Sequence, residues 1–167
     1  NMAIWFDLDK VTDESFFDTA PLRFEYSMHL DATADEVWAG LVADKPLAWC
    51  KALNGRYTSE RPFRVGTTRE VAANFNTIKL KERFFIWDEA ERRHAFYVEQ
   101  ANAPAFKQFA ELYEVTPTEK GCIFVWKFAM AGRFGLGLPL KLISPAAKLA
   151  LFDGFIRDTK KHFGTVK

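Results

Sequence analysis

Cysteine is scarce in this chain, limited to Cys50 and Cys122. The two fit no zinc-ligand spacing and make no disulfide framework, so both read as small core residues in a reducing, cytoplasmic setting. An excess of one charge is also missing. With 23 Lys and Arg against 22 Asp and Glu, spread along the sequence, there is no broad basic field to recruit nucleic acid. The histidines, His29, His94 and His162, have no metal-ligand spacing. Gly132-Arg133-Phe134-Gly135-Leu136-Gly137 is rich in glycine but does not run from a strand through Gly-Lys-Ser/Thr into a helix, which excludes a phosphate loop. It reads instead as a hinge or an ordinary loop, and no cofactor is implied. The most apolar tract, residues 136–155, is interrupted by Pro139, Lys141, Pro145, Lys148 and Asp153, so it is no membrane span. Residues 1–7 lack the basic n-region and apolar h-region of a signal peptide.

Aromatic side chains are abundant, 17 of them Phe, in 167 residues of which 49% are hydrophobic. That is enough for one domain with a sizeable core. Residues 1–21 carry Ile4, Trp5, Phe6, Leu8, Phe16 and Phe17, too apolar for a disordered tail, and are expected to form an arm packed on a single domain spanning 22–167. Residues 22–31 alternate, Phe24, Tyr26, Met28 and Leu30 against Glu25, Ser27, His29 and Asp31, as a half-buried strand does. Thr33-Ala34-Asp35-Glu36 is a capping box, opening a short helix that buries Val37, Trp38, Leu41 and Val42. A second short helical piece is expected to hold Leu47, Trp49, Cys50 and Leu53. Six strands joined by short turns follow, at about 55–60, 66–73, 77–87, 93–101, 106–115 and 122–131, and short turns imply an antiparallel meander. Ser144-Pro145 then starts a long helix, 144–163, with Leu149, Phe152, Ile156, Thr159 and Phe163 on one stripe. The class is α+β.

The order of these elements is carried by Leu30-Asp31-Ala32-Thr33-Ala34-Asp35-Glu36-Val37-Trp38, by Arg64-Val65-Gly66-Thr67, by Tyr113-Glu114-Val115-Thr116-Pro117 ahead of Gly121, and by the closing helix. Over residues 22–163 it resembles the helix-grip fold of the START and Bet v 1-like (SRPBCC) superfamily, and within it the polyketide cyclase/dehydrase-like proteins. Gly66 falls where some members carry a longer glycine-rich loop; here the segment is short. The resemblance implies a seven-stranded curved antiparallel sheet wrapped around a long C-terminal helix, with two short helices between strands one and two and a cavity between sheet and helix.

Pairing residues about the two central hairpins sets Ile86, Phe84, Glu82 and Leu80 against His94, Phe96, Val98 and Gln100. It sets Val115, Tyr113, Glu111 and Phe109 against Cys122, Phe124, Trp126 and Phe128. Both pairings put Glu82 and Glu111 among aromatics on the helix-facing side, where a carboxyl needs a partner, water or a proton. Arg69, His94, Tyr26 or buried water are the candidate partners. Alternatively the carboxyls address the polar end of an apolar ligand, or act as general acid and base. The residues expected to bind a small hydrophobic ligand are Tyr26, Met28, Glu82, Phe84, His94, Phe96, Phe109, Glu111, Tyr113, Trp126, Phe128, Phe152 and Phe155. Binding is the expected function. A cyclase or aromatase activity, as the resemblance implies, is the alternative, and an interaction module on the convex face a further one. On that convex face Phe85, Ala95, Leu112 and Val125 line up, with Trp87 and Tyr97 close by. Such a band calls for a cover, either the N-terminal arm or a second subunit in a homodimer formed through the convex face or the arm.

Overall fold

The computed structural model describes residues 3–133 and 152–167. Its elements are β1 (Phe6–Asp7), α1 (Phe16–Thr19), β2 (Leu22–Leu30), α2 (Ala34–Leu41), β3 (Asn54–Tyr57), β4 (Thr68–Ala73), β5 (Ile78–Asp88), β6 (Arg93–Ala101), β7 (Phe106–Pro117), β8 (Cys122–Gly132) and α3 (Asp153–Phe163). The sheet is antiparallel, curved and unclosed, in the order β2-β8-β7-β6-β5-β4-β3. Ser144, Pro145 and Leu149, expected to begin the long helix, and Phe134 to Gly137 of the glycine-rich segment lie outside the described residues.

The threonine half of the capping box forms, the Glu36 amide donating to Thr33 Oγ1 at 3.0 Å, and α2 buries Val37, Trp38 and Leu41. The segment expected to be a second helix is a chain of turns, closed by the Cys50 amide on Leu47 O at 3.0 Å and the Leu53 amide on Cys50 O at 3.1 Å. A left-handed Leu47, φ 55°, breaks any helical run there. Its apolar side chains nonetheless turn inward, with Leu47 and Cys50 buried.

The hairpin registers differ from the symmetric pairing in two instructive ways. Across β7 and β8 the observed partners are Val115–Phe124, Tyr113–Trp126, Glu111–Phe128 and Phe109–Met130. This is a shift of two residues, which leaves every side chain on its expected face because the strand period is two. The turn is tighter than expected, and Gly121 (φ +78°) closes it where any Cβ would collide with Leu30 O. Across β5 and β6, Glu82–Val98 and Phe84–Phe96 pair, but irregularities between Lys81 and Glu82 and between Phe84 and Ile86 give Leu80–Ala101, Ile86–Ala95 and Trp87–His94. The extra residue at Phe85 reverses the alternation. Ile86 therefore joins the convex cluster. Trp87 moves to the concave side, against Phe84 and His94 with ring centroids 4.8 Å away in each case.

The convex band is covered by the chain's own first residues. Val11, Phe17 and Ala20 are buried in one cluster with Ala95, Tyr97, Ala110, Leu112 and Ala129, and Phe16, Phe85 and Ile86 pack against it. Phe17 lies parallel to Phe85 at 6.3 Å. Trp5 is elsewhere, its ring 4.4 Å from the Lys81 ammonium. The pairing of β6 with β7 stops at Tyr97–Ala110, and β1 enters the gap, pairing Phe6 with Ala101 and Asp7 with Gln100. Leu8 then donates to Glu99 O at 2.9 Å and Asp9 to Lys107 O at 2.8 Å, so the diverging strands are bridged by the arm.

Candidate functional site

On the concave side α3 lays Phe155, Ile156 and Thr159 inward, with Phe152 just ahead of it stacked on Phe128 at 4.1 Å. One helix and α2 do not fill the curve of the sheet. Between the turn after α2, strands β4, β5, β7 and β8, and the start of α3 remains a cavity of about 80 Å³, measured for the centre of a water-sized sphere. One water needs roughly 10–15 Å³ on that measure, so the space exceeds that of a single water.

Seven of the residues expected at the site line this cavity: Glu82, Phe109, Glu111, Tyr113, Trp126, Phe152 and Phe155. Met28, Phe84, Phe96 and Phe128 are buried in the core cluster beside it. Tyr26 donates to Asp153 Oδ1 at 3.0 Å across to α3. Leu47, Leu53, Val71, Ala73, Ile78, Leu80 and Phe106 complete the wall and were not anticipated. The β4 contribution could have been found, because Arg69, Val71 and Ala73 are the alternate residues of one strand.

The polar end is built from three side chains. Arg69, which also lines the cavity, places Nε 2.7 Å from Glu82 Oε1, with exposures of 1% and 2%. Its guanidinium sits over the rings of Phe96, Phe84 and Tyr57 at 4.7, 5.0 and 5.6 Å. Burial pushes the Glu82 carboxyl upward and Arg69 pulls it back. Glu111 has a different environment: Oε1 accepts from Tyr113 Oη and from Trp126 Nε1, each at 2.8 Å, and among the described residues no cation forms an ion pair with it, although the Arg69 charge is felt there. Burial, reinforced by the Glu82 charge, raises its pKa to about 8, against the pull of those two donors. The protonated form of the Glu111 carboxyl is thereby favoured, on the wall of a largely apolar space.

His94 is fully buried behind Tyr113 of the cavity wall, with neither ring nitrogen hydrogen-bonded among the described residues. Trp38, Phe84, Trp87 and Tyr113 surround it at 4.8, 4.8, 4.8 and 5.1 Å. Desolvation, with Arg69 adding to it, holds its pKa well below 6.5. The unfolded chain takes up a proton below that pH while the fold cannot, so stability is lost as pH falls through this range. His94→Leu is expected to raise stability by about 1–3 kcal/mol, with the gain widening below pH 6.5. Thermal unfolding of both proteins between pH 5 and 7.5 checks this. Cys50, donating to Phe155 O at 3.8 Å, is pushed up to about 12 by burial and is no nucleophile. Larger grooves lie at the surface, such as one of about 460 Å³ between Trp5, Arg56, Glu70 and Lys79, but its charged pair Arg56–Glu70 is solvent-exposed. Among the described residues no helix is long and apolar enough to cross a membrane.

A curved sheet gripping a C-terminal helix defines the START and Bet v 1 (SRPBCC) superfamily. Within it, the chain belongs to the polyketide cyclase/dehydrase and lipid transport family, whose profile matches residues 21–163. Ginseng major latex-like protein 151 from Panax ginseng shares 15% identity at a TM-score of 0.65, with 86% of this chain and 97% of that chain covered. A START superfamily protein from Mycobacterium smegmatis is 8% identical at 0.65, covering 84% of this chain and 96% of that one. A solution structure from Thermobifida fusca is 18% identical at 0.64, covering 85% and 93%. At these identities the likeness is one of fold. The sequence matches no curated protein.

Proposed function

We propose that the protein binds a small, largely apolar molecule in the cavity between sheet and α3, with Glu111 meeting the molecule's polar end. The observation that carries this is a buried carboxyl whose hydrogen-bond partners among the described residues are two neutral donors, with no ion pair to a cation among those residues, set in a largely apolar and aromatic wall. A carboxyl in such a place costs stability, and an unfilled cavity forfeits packing. A ligand that contacts both relieves both costs. Burying its apolar surface supplies roughly 25 cal/mol per Å² before ordering losses.

Titration calorimetry with 2-phenylethanol tests the reading, with an expected dissociation constant between about 1 µM and 1 mM. Phe155→Glu, which puts a charge in the wall, is expected to abolish the heat while the far-ultraviolet circular dichroism stays unchanged. Equal heats from the variant and the parent would contradict the assignment.

The protonated state of Glu111 favours a second reading, in which it serves as general acid at a carbonyl of a bound polyketide-like substrate. Under that reading Glu111→Gln retains binding and loses turnover. The binding reading leads because the second carboxyl, Glu82, is engaged by Arg69 and, among the described residues, no free base stands opposite Glu111.

A further inference from the structure

The charges at the polar end of the cavity do not balance when all are ionised. Arg69 and Glu82 cancel each other at 2.7 Å. Among the described residues Glu111 is hydrogen-bonded by the Tyr113 hydroxyl and the Trp126 indole alone, both neutral donors. Among the described residues, the other titratable groups around it do not supply the missing charge. His94 on β6 is held neutral by burial, the Cys50 thiol in the turn before β3 is uncharged, and Tyr26 on β2 and Asp153 on α3 are bonded to each other.

The rings of Phe106, Phe109, Tyr113, Trp126, Phe152 and Phe155 enclose the space in front of Glu111. Ring faces attract cations through their quadrupole and offer nothing comparable to an anion. A carboxylate ligand would meet the Glu111 carboxyl and a guanidinium already paired. A neutral ligand would use the walls alone, whereas a ligand with an ammonium end would use both the walls and the carboxyl.

From this arrangement, and resting on the binding reading above, we propose that the cavity selects small aromatic or apolar amines, the ammonium pairing with Glu111 among the surrounding rings. Pairing requires Glu111 ionised. The amine enters as RNH₃⁺, the Glu111 carboxyl gives its proton to solvent, and the complex holds RNH₃⁺ against the carboxylate. Because Glu111 titrates near 8 in the free protein and a primary amine stays charged to about pH 10, affinity rises with pH through the neutral range and levels off above 8.

Calorimetry on the full chain with three ligands of one shape decides the matter: 2-phenylethylamine, 2-phenylethanol and phenylacetate, from pH 6 to 9 in two buffers of different ionisation enthalpy. The amine is expected to bind about tenfold more tightly than the alcohol at pH 8, phenylacetate to bind least, and the amine to release close to one proton per molecule at pH 7. Glu111→Gln is expected to bring amine and alcohol to equal affinity. If that variant fails to fold, proton release by the parent protein decides alone. Binding of the alcohol as tightly as the amine, with no proton released, would overturn the amine assignment and leave the cavity reading standing. Binding of none of the three would remove both.

Discussion

Glu82→Ala is expected to destabilise the protein by about 3–5 kcal/mol, because it strands the buried guanidinium of Arg69. Arg69 is 1% exposed, and Glu82 at 2.7 Å is its one anionic partner among the described residues; the rings of Phe96, Phe84 and Tyr57 compensate only part of the charge. Removing both charges is a different experiment. Arg69→Met combined with Glu82→Leu fills similar volume without a charge to desolvate, and is expected to recover most of the loss or exceed the parent. Urea unfolding of the three proteins measures these differences. A cost for Glu82→Ala within about 1 kcal/mol, the range of exposed pairs, would mean that water reaches the pair.

Glu111→Gln is expected to act in the opposite direction, and to do so as a function of pH. The folded-state pKa of Glu111 is raised from 4.5 to about 8. The folded protein therefore keeps a proton that the unfolded chain has already lost. Its contribution to stability is full below pH 4.5 and declines as pH rises, until it is gone near pH 8. A displacement of that size corresponds to about 5 kcal/mol across the window. Glutamine is neutral in both states and retains an oxygen for Tyr113 and Trp126, so the variant lacks this slope. It is expected to match the parent near pH 4.5 and to exceed it by about 3 kcal/mol at pH 7. The comparison cancels His94, whose contribution is common to both proteins. Denaturant unfolding at half-unit steps from pH 4.5 to 9 reads the difference directly, and a constant offset across that range would show that Glu111 is ionised throughout.

The two carboxyls were visible in the sequence because each interrupts a period-two alternation of apolar residues, and parity survives errors in turn length. The two-residue shift between β7 and β8 left Glu111, Tyr113 and Trp126 on one face for that reason. The bulge at Phe85 was invisible. Phe84, Phe85, Ile86 and Trp87 are all apolar, so alternation there carries no information about which face each one takes, and both Ile86 and Trp87 change sides. The entry of β1 between β6 and β7 depends on where two strands diverge, a consequence of the curvature of the whole sheet rather than of any local pattern. Leu47 and Leu53 are legible as apolar, but their spacing alone does not reveal the left-handed backbone at Leu47 that ends any helix there. The size of the cavity is a remainder after packing. Met28, Phe84, Phe96 and Phe128 belong to the buried cluster beside it, and Phe152 just ahead of α3 stacks on Phe128.

The central claim is that the space between sheet and α3 receives a small apolar molecule beside Glu111. Nuclear Overhauser contacts between bound 2-phenylethylamine or 2-phenylethanol and the isotope-labelled protein test it most directly. The account predicts contacts from the ligand ring to Phe109, Trp126 and Phe155, with the polar end nearest Tyr113. Contacts confined to the surface groove at Trp5, Arg56 and Lys79, with the spectra of Phe109, Trp126 and Phe155 unchanged, would contradict it.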